Sequence, residues 1–121
     1  MPSHFAISTT EVDGVPTVLV QGDLDLTTSS VLRQHLEEAA AGGEAGVAVD
    51  LSAVRFFDSS AARVLLREYR EGLRRRRPLR ITGASRPVRR VLAVLLDRTL
   101  DRARTAEVRK AASSPEPPLA S

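Results

Sequence analysis

The stretch Val47-Ala48-Val49-Asp50-Leu51-Ser52-Ala53-Val54-Arg55-Phe56-Phe57-Asp58-Ser59-Ser60-Ala61-Ala62 decides how this chain is read. Val47 to Leu51 is short, apolar and rich in β-branched residues, with glycines before it. It reads as a buried central strand. A helix is expected from Ala61 to Arg77, with Ala61, Ala62, Leu65, Leu66, Tyr69 and Leu73 as its inner stripe. Arg63, Arg67, Arg70 and Arg74 then share its outer face, and Pro78 stops it. At the joint between strand and helix stand a carboxylate and two hydroxyls, Asp58, Ser59 and Ser60.

On the N-terminal side, Leu32, Leu36 and Ala39/Ala40 recur at helical spacing and Gly42-Gly43 ends that helix. The polar cluster Thr27 to Ser30 offers its N-caps. Gly22-Asp23-Leu24-Asp25-Leu26 reads as the break between this helix and a strand over Thr17 to Gln21. Asp13-Gly14 is a hairpin signal that joins that strand to an earlier one, His4 to Thr10. Pro16 lacks an N–H and belongs at a strand start or edge. Strand, helix and central strand make a βαβ-type unit if the two strands run parallel.

On the C-terminal side, Leu79 to Gly83 is a fourth strand. Ser85-Arg86-Pro87 opens a third helix, buried through Val88, Val91, Leu92, Leu95 and Leu96. Leu100 and Thr105 to Ala112 are expected to form a last short helix, and the proline-rich Ser113 to Ser121 a disordered tail. One domain over residues 1–112 with a tail over 113–121 is the expectation for a chain of 121 residues.

Composition narrows the function classes. With 42% hydrophobic and 27% charged residues the chain is globular, and with only 3% aromatics its core is aliphatic. It has no cysteine, which excludes disulfides and thiolate chemistry and suits a reducing compartment. No apolar run reaches the roughly 18 residues needed to span a bilayer, and the N-terminus lacks a signal pattern, so a cytoplasmic location is expected. The net charge of +3 is unevenly spread. Residues 1–62 hold two arginines against nine acids, a net −7, and residues 63–121 hold sixteen basic groups against six acids, a net +10.

Asp58-Ser59-Ser60 admits two readings. One is a helix cap, in which Asp58 or a serine, Ser60 if Ser59 is the regulated hydroxyl, accepts from an orphan amide of the first turn. The other is a regulated hydroxyl: a phosphate on Ser59 would sit at a helix N-terminus, which tolerates an anion, and would disturb a partner more than the fold. A nucleophilic serine is disfavoured. The only histidines are His4 and His35, and no Gly-x-Ser-x-Gly elbow is present. Asp23 and Asp25 lack a third ligand at motif spacing, which favours turn and cap roles over a metal site. The glycines form no dinucleotide or P-loop fingerprint. The arginine stripe is not interleaved with aromatics, which favours a solvated or protein-docking face over nucleic acid.

Three stretches carry a resemblance. Gly22-Asp23-Leu24-Asp25 resembles the Gly-Glu-Leu-Asp that follows the second strand in STAS domains, the anti-sigma factor antagonist family. Val49 to Ser60 resembles that family's strand-and-loop signature, which ends in Asp-Ser-Ser/Thr-Gly, and Pro87-Val88-Arg89-Arg90-Val91-Leu92 is similar to its third-helix opening. The resemblance implies an α/β fold with a four-stranded mixed β-sheet packed against helices. It implies a non-enzymatic, cofactor-free switch that binds an anti-sigma factor which is also a serine kinase. That kinase would phosphorylate Ser59 and end the binding, and a serine phosphatase would reset it. Asp23, Asp25, Asp58, Ser60, Ala61, Ala62, Arg63 and Arg67 map to the docking surface. Direct nucleic-acid binding and a membrane span are not expected. Where the family has Gly-Leu-Gly after the serines, this chain has Ala61-Ala62-Arg63, and the next small position is Arg67. The alternative implied is an unphosphorylated STAS interaction module in a lipid-transport or sensory complex.

Overall fold

The hairpin is where the chain's local signals are strongest. Asp13 and Gly14 both take positive φ, 52° and 80°, the conformation a tight two-residue turn requires. Strand β1 (Phe5–Val12) therefore folds back antiparallel on β2 (Val15–Leu24), with Val12 opposite Val15 and Phe5 opposite Gly22. Pro16 is the second residue of β2 and faces Glu11 of the edge strand. The computed structural model describes residues 4–95.

Helix α1 (Ser29–Gly42) carries the chain to β3 (Val47–Phe57), which lies parallel to β2. Helix α2 (Ser59–Arg74) leads to β4 (Leu79–Ala84), parallel to β3. A third helix, α3, covers residues 86–95. The sheet order is β1-β2-β3-β4, a four-stranded mixed sheet, as expected. Alternation along the strands sends Val18, Val20, Val49 and Leu51 to one face. There they meet Leu32 and Leu36 of α1, Ala61, Ala62 and Leu65 of α2, and Val88 of α3 in a single aliphatic core. Phe5, Ile7, Val91, Leu92 and Leu95 pack at its margin.

The largest boundary differences from the expectation fall in β2, β3 and α2. Gly22 does not end β2. The pairing shifts register between Leu19 and Gln21 and again between Gly22 and Asp23, and the strand runs on to Leu24, whose side chain is turned into the core. The same shifts let β3 continue from Leu51 to Phe57. Helix α2 starts at Ser59 and ends at Arg74, earlier at both ends than expected. Arg75 caps it and Arg76 turns the chain with φ 58°. The expected last short helix and tail, with Leu96, Leu100 and the residue-112 boundary, lie outside the described residues.

The inner stripe of α2 is also corrected. Ala61, Ala62 and Leu65 are buried, but Tyr69 and Leu73 are exposed. Toward its C-terminal end Glu68 and Gly72 line a hollow with Leu36 and Ala40 of α1, and Gly72 lies against the backbone of Arg77 to Leu79. Burial there pushes the Glu68 carboxyl above its ordinary range, helped by Glu37, while Arg67 and Arg75 pull the other way. A raised carboxyl is penalised in the fold when charged, so the penalty is present above the folded value and vanishes below the unfolded one. Glu68→Gln should therefore stabilise the protein at pH 7 by a few tenths of a kcal/mol. The gain should disappear in urea unfolding below about pH 4.

Candidate functional site

Because β2 and β3 are parallel, their carboxyl ends lie side by side, with Leu24 opposite Phe57. The Asp58 amide donates to the Leu24 carbonyl at 3.2 Å, which ties the two strand ends together. Two helix N-termini, those of α1 and α2, start from this one edge.

The start of α2 divides its labour among three residues. Asp58 is the N-cap in extended backbone conformation, and its Oδ1 accepts from the amides of Ser60 at 3.0 Å and Ala61 at 3.1 Å. The Ser60 hydroxyl donates to the same oxygen. Ser60 is thus not the cap, as the sequence suggested, but a brace for it. Ser59 is the first helical residue; it is exposed, and its hydroxyl has no hydrogen-bond partner among the described residues. Asp58→Ala should lower the unfolding free energy by about 1–2 kcal/mol, and Asp58→Asn by less, in urea denaturation. Equal stability of Asp58→Ala and the parent chain would contradict the cap assignment.

The start of α1 is held differently. Thr28 occupies the N-cap position but makes no side-chain cap bond. The Asp25 carboxylate accepts from the amides of Thr27 at 2.9 Å and Thr28 at 3.1 Å and from the Thr27 hydroxyl at 2.6 Å. The Thr27 hydroxyl bond, with the amides, holds the Asp25 carboxyl below its ordinary value. The Thr28 hydroxyl donates to the Asp23 carbonyl at 2.9 Å and accepts from the Asp25 amide at 2.9 Å, closing the loop. Asp23 turns its own carboxylate toward Arg55, at 3.4 Å. The two aspartates therefore do separate work, one building the turn and the other facing the surface.

Arg63 and Arg67 are exposed on α2, with Arg63 one turn beyond Ser59. Ala61 and Ala62 are at 0% exposure. Their side chains belong to the core, as the inner stripe of α2 requires. Two residues were not singled out in the sequence: Leu26, 76% exposed, and Phe56, 51% exposed, both at this same end. Adjacent strand residues face opposite sides, so of Phe56-Phe57 one had to face water once β3 was known to reach that far. Asp23 is paired with Phe56 in the β2–β3 register, and Leu26 and Ser59 are exposed on the segments that follow those strands.

A family model described as "Mlab, STAS domain" matches residues 7–100. Anti-sigma-F factor antagonist RsfB of Mycobacterium tuberculosis is 28% identical over 64 residues, 53% of this chain and 52% of that protein. The match thus spans about half the length of the curated relatives. The crystal structure of an anti-sigma factor antagonist from Mycobacterium paratuberculosis superimposes with a TM-score of 0.71 at 29% identity, covering 88% of this chain and 96% of that one. The anti-sigma factor antagonist SpoIIAA in its unphosphorylated form gives a TM-score of 0.61 at 23% identity, covering 83% of this chain and 97% of that one, a likeness of fold.

Proposed function

The chain belongs to the STAS domain family, and on that premise we propose that it is an anti-sigma factor antagonist switched at Ser59. In the unmodified state it binds an anti-sigma factor that is also a serine kinase, through Asp23, Asp58, Leu26, Phe56 and the start of α2. The Ser59 oxygen then takes the γ-phosphoryl group of ATP, ADP leaves, and the hydroxyl proton is lost. The phosphorylated chain lets go, and a serine phosphatase restores the hydroxyl. The role is regulatory and cytoplasmic. Asp25 and Ser60 shape the two loops without touching the partner directly.

The observation that carries this reading is the state of the three joint residues. Asp58 and Ser60 complete the cap between them, which leaves the Ser59 hydroxyl exposed and without a hydrogen-bond partner among the described residues. A residue needed only to cap the helix would be bonded. Incubation of the chain with the host's anti-sigma factor kinase and ATP should label wild type and not Ser59→Ala. Equal labelling of both would sink the assignment.

The alternative is a STAS interaction module that is never phosphorylated, in a lipid-transport or sensory complex. Arg63 favours it, because a guanidinium one turn from Ser59 would neutralise part of an added phosphate and blunt the switch. An intact mass from cells without a phosphorylated fraction, together with a stable non-kinase partner, would decide for it.

A further inference from the structure

Arg63, Arg67, Arg70 and Arg74 are all exposed on the outer face of α2. With Leu66 and Glu71 they line one shallow groove. At the helical rise the stripe is about 16 Å long. Arg74 is paired with Glu71 at 2.8 Å, whereas Arg63, Arg67 and Arg70 have no ion pair among the described residues. Three unpaired guanidiniums in a row on a rigid helix repel one another and gain from an anionic occupant.

We infer that this face binds an acidic protein segment, whose carboxylates follow the arginine row. The inference rests on the reading of the chain as a protein-docking regulator and names the chemistry of what docks. Two features select a protein over a nucleic acid. On one flank of the row lie Leu66, half-buried, and Leu73, exposed, which offer apolar contact to a side chain. On the other flank lies Glu71, whose carboxylate is already held by Arg74 and Arg75, and beyond the N-terminal end of the helix lie Asp58 and Asp23, which repel a continuous phosphate backbone. A short segment with acids in one row and apolar residues beside it meets the arginines and the leucine flank, and is short enough to end before those aspartates. The row also begins one turn from Ser59, so a phosphate there competes with the partner's carboxylates for Arg63.

The test is fluorescence anisotropy with three labelled probes. The first is a helical peptide with glutamates at successive steps of four, three and four residues and leucines along one flank. The second is a scrambled peptide of the same composition, and the third a DNA duplex of similar charge. The matched peptide should bind at least about fivefold tighter than the scrambled one. The double variant Arg67→Glu/Arg70→Glu should weaken it by about tenfold or more, with unchanged far-ultraviolet circular dichroism. Arg67→Gln/Arg70→Gln should show a smaller loss in the same direction. No preference for the matched peptide, no loss in either double variant, or tighter binding of the duplex would overturn the inference. A stripe that ignores the peptides while Ser59 is still labelled removes this inference alone. Loss of labelling with peptide binding intact removes only the switch.

Discussion

Gly22→Ala should lower the unfolding free energy by about 3 kcal/mol or more. Gly22 has φ +95°, where a side chain is strained. An added Cβ would lie 1.6 Å from the His4 carbonyl oxygen and 2.5 Å from its carbon. That carbonyl is fixed, because it accepts from the Asp23 amide at 3.0 Å. Relief requires β1 to leave the sheet at this end or the bulge to unwind. Either change also moves Leu24 out of the core and Asp23 away from Arg55. The matched control is Gly14→Ala. Its φ is +80°, but nothing lies within 4 Å of the added atom, so it should cost only the strain of about 1 kcal/mol. Urea unfolding of the two variants separates steric overlap from backbone strain. A Gly22→Ala variant no less stable than Gly14→Ala would contradict this account of the bulge.

Phosphoserine at position 59 should weaken partner binding by about a hundredfold while changing folding stability by less than about 1 kcal/mol. Ser59 is exposed and sits in the first turn of α2, where the free amides and the helix dipole favour an anion. Arg63, one turn on, supplies a counter-charge, and Asp58 supplies a repulsion of similar reach. Within the protein these nearly cancel. In a docked, desolvated contact the added charge of about −1.5 to −2 has no such escape. Ser60 makes the contrast. Its hydroxyl is committed to Asp58, so Ser60→Ala should lose stability through the cap and leave the Ser59 switch working. Calorimetric titration and urea unfolding on the same samples read both quantities.

What could be read from the sequence follows from how local the determinants are. The hairpin was legible because Asp13-Gly14 specifies its own conformation. The exposed arginine face was legible because helical spacing alone places it. The strand extensions through Gly22 and past Leu51 were not, because they depend on register shifts between two chain segments far apart in sequence. The apolar spacing that continues along α2 places Tyr69 and Leu73 in the core, whereas at that end the helix packs through Glu68 beside α1 and Gly72 against Arg77 to Leu79, and both apolar side chains are exposed. At the site, the polar joint and both aspartate positions stood out as residues. Their division of labour did not. Which of Asp58 and Ser60 caps α2 depends on backbone direction, whereas the burial of Ala61 and Ala62 follows from their place on the inner stripe. Leu26 and Phe56 were hidden for the same reason as the strand ends.

The most direct measurement is affinity capture from the host with wild type, Ser59→Ala and Ser59→Asp as baits, with site-resolved phosphate mapping. The account predicts an anti-sigma factor kinase retained by Ser59→Ala, lost from Ser59→Asp, and phosphate on wild type at Ser59. The same partner on all three baits, with no phosphate at Ser59, would contradict it.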